Sequence, residues 1–195
     1  EVGSRTMQPD SQIDPIERKV DEPFVTVISG TFCAGKTDLK NELFNQMNGE
    51  SAKVSIILNY KLRDPKSYEL PGVDYLLVET PEDFKRLKEE GQIVTSYTRD
   101  GHYYGLSRAF VDALQTGSMP IIEMQLHGYG NLRQYLNESY LNNRVVSFLL
   151  HTKYTDAKER LFSRAGKDLS PQDIEFIQSH LRTLEDEFAN YRIHE

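Results

Sequence analysis

Residues 30–37 read Gly30-Thr31-Phe32-Cys33-Ala34-Gly35-Lys36-Thr37, which fits the pattern G-x-x-x-x-G-K-T. The preceding residues 24–29 are a short β-branched run that predicts a buried strand, and apolar residues at helical spacing follow in residues 36–46. A strand, a glycine loop and a helix in this order are the context in which such a loop binds phosphate. The segment therefore predicts a P-loop for the phosphates of a nucleoside triphosphate.

The fixed positions of this pattern have distinct chemical roles. Backbone N–H groups of the loop surround a phosphate, and the dipole of the following helix adds to the attraction. Lys36 places a positive charge beside the β- and γ-phosphates, and Thr37 offers a hydroxyl to Mg²⁺. A second magnesium ligand is expected at the end of a neighbouring strand, where Glu123 follows Ile121-Ile122. The residues expected to bind the triphosphate are Gly30, Cys33, Ala34, Gly35, Lys36, Thr37 and Asp38.

The composition of the 195 residues is typical of one globular domain, with 38% hydrophobic and 27% charged residues. A formal net charge of −7 argues against nucleic acid or an anionic membrane as a general partner. The sequence has no apolar run near the roughly 18 residues that a spanning helix needs. Its single cysteine cannot form an internal disulfide, so a reducing, cytoplasmic setting is expected.

Short strands alternate with helices along the chain. Residues 59–71 are polar and contain prolines, which predicts a long loop, and Thr80 and Gly91 are expected to cap and end a helix over 81–90. Helical spacing is also found from Leu106 to Gly117, and Gly128 is expected to close the strand at 121–124. Further strands are predicted at 54–58, 74–78, 92–98 and 144–150, and further helices at 155–164 and 171–190. Strands that alternate with helices predict an α/β fold with a parallel sheet flanked by helices.

The N-terminal residues 1–22 are polar and lack periodicity, so they are interpreted as a flexible leader that precedes the domain at 23–195. Residues 1–6 stand before Met7 and are interpreted as a non-native extension.

Between residues 54 and 182 the sequence resembles the guanylate kinase family. The family pattern R-x-P-R-x-G-E-x-x-G-x-D-Y corresponds to residues 63–75, and G-N-Y-Y-G-T/S corresponds to residues 101–107. The pattern D-x-D-x-x-G corresponds to residues 123–128, and the arginines of R-L-x-x-R-G correspond to Arg160 and Arg164. The four blocks occur in the family's order and at close to its spacing.

The resemblance implies a nucleoside monophosphate kinase that transfers a phosphoryl group from ATP with Mg²⁺, with GMP or dGMP as the first candidate acceptor. It divides the domain into a core (23–58 and 105–158), a monophosphate-binding region (59–104) and a helical lid (about 159–182). It implies that Arg63, Lys66, Tyr75 and Tyr104 hold the acceptor phosphate. It also implies that Arg160 and Arg164 close over the triphosphate and act in catalysis with Lys36 and Arg63, while His180 or Arg182 supplies a further lid cation.

The sequence departs from the family's pattern mainly at the acceptor site. Lys66 replaces an arginine, Thr95 replaces the acid that reads guanine, Asn59 replaces a base-reading serine, and Gln125 replaces the second acid of D-x-D. Losing carboxylate acceptors leaves guanine's N–H groups poorly paired, so preference for guanine is expected to weaken. The family also continues into a final strand and an adenine-contacting segment, whereas this sequence ends at Glu195. Either the sequence is truncated or the ATP base is held differently.

Two other functions fit the same residues. The first is a binding or regulatory module without GMP kinase activity, although such modules usually lose the P-loop lysine that this chain keeps as Lys36. The second is a kinase for another phosphorylated small molecule, such as a ribose bisphosphate, which needs no guanine reader and would explain Thr95.

Overall fold

The computed structural model describes residues 23–48, 53–65, 69–99, 101–141, 144–165, 174–175, 177–182 and 185. The leader expected at 1–22 and Lys66, which was expected to hold the acceptor phosphate, lie outside this part of the chain. Most of the helix expected over 171–190 also lies outside it, and the described residues of that segment, 174–175, 177–182 and 185, are helical. The elements in chain order are β1 (Val25–Gly30), α1 (Lys36–Asn48), β2 (Val54–Ile57), β3 (Tyr60–Leu62), β4 (Leu76–Leu77), α2 (Pro81–Glu89), β5 (Ile93–Arg99), β6 (His102–Ser107), α3 (Ala109–Gln115), β7 (Met119–Glu123), α4 (Leu126–Glu138), β8 (Val145–Leu150) and α5 (Tyr154–Ala165).

The core sheet is parallel and has the order β2-β7-β1-β8. Every residue of β1 is buried, because this strand lies between two neighbours and beneath helices. Where β1 pairs with β7, Ile28 lies opposite Glu123, so the end of β7 lies beside the start of the P-loop. The expected parallel sheet flanked by helices is therefore confirmed, and its carboxyl edge carries the motif residues.

Helices α3 and α4 bury their apolar faces against this sheet. Phe110 of α3 and Leu132 and Leu136 of α4 pack with Val27 and Ile122 in one cluster. The sequence-based interpretation of Gly128 as the end of a strand segment was wrong, because Gly128 lies inside α4 and is buried. A Cβ atom at Gly128 would lie 2.5 Å from Cε1 of Tyr97, so only glycine lets β5 approach this helix closely.

A second sheet, with the order β4-β3-β6-β5, stands beside the core. The loop predicted over residues 59–71 was partly wrong, since it contains β3, and the helix predicted from Leu106 begins only at Ala109. Both errors have one cause, which is that pairing in this sheet outweighs the local pattern. Strand β3 has three residues and gains its stability from β4 and β6, and β6 extends to Ser107 through its own pairing with β5.

Local signals around α2 are confirmed. The side chain of Thr80 accepts a hydrogen bond from the backbone N–H of Asp83 at 3.1 Å, and Pro81 occupies the first turn, where a missing N–H costs nothing. Gly91 follows the helix with a φ of +72°. Within the described residues, no helix combines the length and the apolarity needed to cross a bilayer.

Candidate active site

The P-loop connects β1 to α1 through a backbone that needs glycine at its first position. Gly30 has a φ of +156°, and a Cβ atom there would lie 2.4 Å from the carbonyl oxygen of Leu150 on β8. The loop also contains Cys33 in the left-handed region, with a φ of +57°, and this side chain is buried against Ala157 and Leu161 of α5. The loop is thus fixed from both sides, by the edge strand and by helix α5.

The ammonium group of Lys36 folds back onto the loop. Its Nζ donates hydrogen bonds to the carbonyl oxygens of Thr31 at 2.6 Å and Gly30 at 3.2 Å. These bonds hold a positive charge at the mouth of the loop, where the phosphates of a nucleotide would be bound.

Thr37 and Glu123, the two residues predicted to hold magnesium, are in direct contact. The Thr37 hydroxyl donates to the Glu123 carboxylate, with distances of 2.9 Å to Oε1 and 3.1 Å to Oε2. A hydroxyl and a carboxylate are oxygen ligands of the kind that Mg²⁺ prefers, and the described residues contain no group of three or more His, Cys, Asp or Glu that could hold a metal. This donor set fits Mg²⁺, which binds through one or two protein ligands and completes its shell with water and substrate phosphate.

A lysine to which the sequence pattern assigned no role shares this carboxylate. Nζ of Lys40 lies 3.0 Å from Oε2 of Glu123, and the Lys40 side chain is only 9% exposed. Helical spacing could have found Lys40, since it follows Lys36 by one turn on α1.

One cavity of about 500 Å³ joins the P-loop to the second sheet. It brings together the candidate triphosphate-binding residues and most of the candidate acceptor residues. The predicted residues that line it are Cys33, Ala34, Gly35, Lys36, Thr37, Asp38, Asn59, Arg63, Thr95, Tyr104, Glu123 and Gln125. Gly30, Tyr75 and Arg160 do not line it.

Arg63 is held in the cavity wall by an acid that the motif contains but to which no role was assigned. Its Nη2 donates to both carboxylate oxygens of Glu69, at 2.6 and 2.7 Å, and its side chain is 6% exposed. Burial alone would lower the pKa of Arg63, but the hydrogen bond and charge of Glu69 raise it above its ordinary value. Lys61, which was predicted to lie in a loop, donates to the same carboxylate at 3.3 Å. Burial lowers the pKa of Lys61 below its ordinary value, although Glu69 opposes that shift.

Tyr75 and Tyr104 take different positions relative to the cavity. Tyr75 is fully buried, with Nζ of Lys61 4.4 Å from its ring centroid and Cζ of Arg63 5.6 Å from it. Its hydroxyl has no hydrogen-bond partner among the described residues, and burial raises its pKa. Tyr104 lines the cavity and stacks on Tyr97, with ring centroids 5.0 Å apart. In the sheet, Tyr104 pairs with Lys61 on one side and with Tyr97 on the other, so these three side chains form one row.

Asn59 connects the two sheets. Its Nδ2 donates to the backbone oxygen of Glu123 at 2.9 Å, while its Oδ1 is buried without a partner among the described residues. Thr95 and Gln125 line the same cavity, and Arg99 donates a hydrogen bond to Oε1 of Gln125. Side chains of a strand alternate between its two faces, so Thr95 and Arg99, four residues apart on β5, lie on the same face. This spacing could have identified Arg99 as a cavity residue from the sequence.

The candidate lid residues are described in part. Nη1 of Arg160 donates to the carbonyl oxygen of Cys33 at 3.0 Å, so this arginine contacts the P-loop from α5. The ring of His180 lies against that of Phe32 of the loop, with centroids 4.7 Å apart and a tilt of 47° between the ring planes, and His180 lines the cavity. Arg182 is exposed, and the side chain of Arg164 lies outside the described part of the chain.

A family model described as guanylate kinase matches residues 23–192. A guanylate kinase of Thermosynechococcus vestitus is 31% identical over 164 residues, which are 84% of this chain and 78% of that protein. A guanylate kinase of Ehrlichia ruminantium is 29% identical over 143 residues, which are 72% of this chain but only 64% of that protein. The chain therefore spans less than two thirds of the length of this second relative.

The arrangement of elements is also similar to that of a solved structure. The crystal structure of guanylate kinase from Anaplasma phagocytophilum superposes with a TM-score of 0.55 and 18% sequence identity, over 85% of this chain and 86% of that one. At this identity, the likeness shows the shared fold.

Proposed function

This chain belongs to the guanylate kinase family, and we propose that it catalyses the Mg²⁺-dependent transfer of a phosphoryl group from ATP to a nucleoside monophosphate. GMP and dGMP, in the reaction GMP + ATP to GDP + ADP, are the first acceptors to test because of that membership. The observation that carries the proposal is the shared cavity of about 500 Å³, which has the P-loop on one wall and the cations Lys61 and Arg63 on the other. Two phosphorylated substrates, each strongly anionic, need this distribution of positive charge.

On the donor side, the loop would bind the triphosphate through backbone N–H groups and the ammonium of Lys36. That ammonium bonds to the carbonyls of Gly30 and Thr31, and it would exchange these neutral acceptors for phosphate oxygens. Thr37 and Glu123 would hold Mg²⁺, which when bound supplies charge neutralisation at the phosphates. Arg160, already on the loop carbonyl of Cys33, is positioned to add a second positive charge.

On the acceptor side, Arg63 and Lys61 would bind the monophosphate. The carboxylate of Glu69 holds both cations in the wall, so their positions are set before an acceptor arrives. The Tyr104 hydroxyl, in the same row of side chains as Lys61, would donate a further hydrogen bond to that phosphate. The Tyr75 hydroxyl has no hydrogen-bond partner among the described residues and belongs to a ring that both cations contact, and it would donate a hydrogen bond to the same phosphate after a small movement. Lys66 and Arg164 stay predictions in this scheme.

Such a reaction requires positioning and electrostatic stabilisation and no covalent intermediate. The acceptor oxygen and the terminal phosphoryl group would meet in the middle of the cavity, between the P-loop and the row formed by Lys61, Tyr104 and Tyr97. Closure of the lid would exclude water, which otherwise competes as the acceptor.

The two alternatives make different demands on the same cavity. A binding module would not need Lys36 beside the phosphates or Thr37 in contact with Glu123 to hold Mg²⁺, so this arrangement favours an enzyme. A kinase for another phosphorylated small molecule, such as a ribose bisphosphate, is favoured over a GMP kinase by one observation, which is that positions 95 and 125 hold Thr95 and Gln125 in place of acids.

The test is an ADP-release assay with ATP, Mg²⁺ and a panel of nucleoside monophosphates and sugar phosphates. Reactions without an acceptor measure the background of ATP hydrolysis. Acceptor-dependent ADP release with a nucleoside monophosphate supports the proposal. Measurable ATP binding without ADP release above background for any nucleotide would refute it.

A further inference from the structure

One wall of the cavity is built by alternate residues of β5. Thr95, Tyr97 and Arg99 are separated by two positions each and line the cavity together, as side chains on one face of a strand do. Tyr97 stacks on Tyr104, which places Thr95 and Arg99 on either side of the stacked rings. This wall is therefore the part of the cavity that can meet the flat base of an acceptor.

Arg99 fixes the polarity of Gln125, which lies across from this wall. A guanidinium group has only donors, so the Gln125 atom that faces it is the amide oxygen Oε1. The remaining polar group of Gln125 is then its Nε2, which carries two N–H donors. Gln125 immediately precedes α4, so this donor lies at a fixed point between β7 and that helix.

No carboxylate among the described cavity residues is available to accept hydrogen bonds beside Arg99 and Gln125. Asp38 and Glu123 belong to the P-loop side, where Glu123 already contacts Thr37 and Lys40. Glu69 is engaged by Arg63 and Lys61. The fourth acid that lines the cavity, Asp74, is exposed and accepts a hydrogen bond from the backbone N–H of Leu70.

We propose that Arg99 and Gln125 read the acceptor base with hydrogen-bond donors, so that the preferred base presents a keto oxygen to them where guanine carries its 2-amino group. Xanthine has this oxygen at C2, and uracil has keto oxygens at C2 and C4. The N1–H group is common to xanthine and guanine, so the 2-amino group of guanine is the donor that would face these donors and be left unpaired. This inference rests on the proposed function, since it takes the cavity to be the acceptor site.

The test is isothermal titration calorimetry on the full chain with a non-hydrolysable ATP analogue and Mg²⁺ present. XMP, UMP, IMP and GMP are compared as ligands. Binding of XMP or UMP at least about 10-fold tighter than GMP is expected, because a buried unpaired donor costs about that factor or more. The stronger of the two ligands then distinguishes a purine from a pyrimidine acceptor. GMP binding as tight as that of both, or binding of none of the four, overturns the inference.

Variants assign the preference to the two residues. Arg99→Leu removes one donor and lets Gln125 rotate, so the ratio of XMP or UMP affinity to GMP affinity should fall towards one. Combining it with Gln125→Glu should reverse the ratio in favour of GMP. Arg108→Leu is the matched control, because Arg108 pairs with Asp112 on α3, is half exposed and does not line the cavity. An unchanged ratio in the Arg99 variants overturns the inference.

Binding and turnover separate this inference from the proposed function. Selective binding of XMP or UMP without ADP release supports the inference and refutes phosphoryl transfer. Turnover of GMP in preference to XMP and UMP has the opposite meaning, since the kinase activity stands and the donor-based reading of the base is overturned.

Discussion

The Nζ atom of Lys40 lies 3.0 Å from Oε2 of Glu123, the carboxylate that also accepts the Thr37 hydroxyl. A buried ammonium group thus already neutralises the acid that is proposed to hold Mg²⁺. The metal would have to share this carboxylate with Lys40 or displace it, and either event lowers the apparent affinity for the metal.

We therefore expect Lys40→Met to bind Mg²⁺ with higher apparent affinity in the presence of ATP, by about 10-fold if roughly 1.4 kcal/mol of competition is removed. Without the metal, the free energy of unfolding should fall by roughly 1–3 kcal/mol, because Glu123 loses its cationic partner while only 25% exposed. Calorimetric titration with Mg²⁺ and urea unfolding measure the two effects. Lys85→Met, at a side chain 78% exposed, is the control. Equal magnesium affinity in the variant and the parent protein would contradict the competition.

Lys36→Ala should lower kcat/KM by about 10²–10³-fold, the usual effect of removing one charge-stabilising donor from a reaction centre. The free energy of unfolding should change little, because the hydrogen bonds that Lys36 makes to Gly30 and Thr31 are only partly buried. The measurements are ADP release and urea unfolding, with the exposed Lys88→Ala as the control. Retained turnover in Lys36→Ala would rule out the proposed role of the loop.

Gly30→Ala should destabilise the protein by roughly 3 kcal/mol or more, since its Cβ would lie 2.4 Å from the backbone oxygen of Leu150. The same change at Gly130 should have the opposite sign. That glycine is inside α4 and exposed, and a Cβ atom added there would meet open space, so alanine should gain about 0.5–1 kcal/mol from helix propensity. Urea unfolding of the two variants measures both changes, and a loss of stability in Gly130→Ala would show that a side chain at position 130 does not extend into open space.

Tyr75→Phe should separate stability from substrate binding. Removing a buried hydroxyl that has no partner among the described residues should raise the free energy of unfolding by about 1 kcal/mol. The KM for the acceptor should rise, because a hydrogen bond to the acceptor's phosphate is lost. Steady-state kinetics and urea unfolding measure the two effects. A loss of stability in Tyr75→Phe would show that the hydroxyl is bonded in the folded protein.

The stability advantage of Tyr75→Phe should also depend on pH. The pKa of Tyr75 is raised above 10.0 in the folded protein, so above pH 10 the unfolded state releases this proton first. The parent protein then loses stability as the pH rises through the raised pKa, and the variant does not. Urea unfolding between about pH 8 and pH 11, under conditions matched for both proteins, measures the difference. A constant difference over this range would contradict the raised pKa.

Thr95→Glu should improve kcat/KM for GMP by about 10-fold or more, because it places a carboxylate acceptor on the cavity face of β5. Thr98→Glu introduces the same charge on the exposed face of the same strand and should have little effect. ADP release with GMP as acceptor measures both. Equal changes in the two variants would indicate a general effect of charge and not a contact with the base.

The parts of the fold with local signals were predictable from the sequence. The G-x-x-x-x-G-K-T pattern, the cap at Thr80 and the apolar runs of β1 and β7 depend on neighbouring residues, and the structure agrees with each. The second sheet was not predictable in the same way. Its strand β3 is stabilised by partner strands that follow it by more than ten residues in the sequence. Helix α4 begins with a turn that contains glycine, a residue that in the sequence indicates the end of an element.

The candidate site follows the same division. Lys36, Thr37 and Glu123 could be assigned from the motif and from the parallel topology, which brings two strand ends together. Lys40, Glu69 and Arg99 were not assigned a role, because their importance comes from pairing. Each carries a charge that looks ordinary in the sequence and acquires a role only through the partner that folding brings to it.

Strand β7 ends at Glu123 and α4 begins at residue 126, so Glu123 and Gln125 are separated only by the buried Met124. Glu123 contacts Thr37 beside the P-loop, and Gln125 contacts Arg99 on the wall formed by β5. In the proposed reaction, the separation between the triphosphate site and the acceptor site is therefore set by three residues of one backbone segment, whose middle residue is buried in the core. Inserting or deleting one residue here would turn Gln125 away from Arg99. It would also change the separation between the triphosphate site and the acceptor site, which depends on the backbone and not on side-chain conformation. Residues 123–125 should therefore tolerate insertions and deletions less well than any surface loop of the protein.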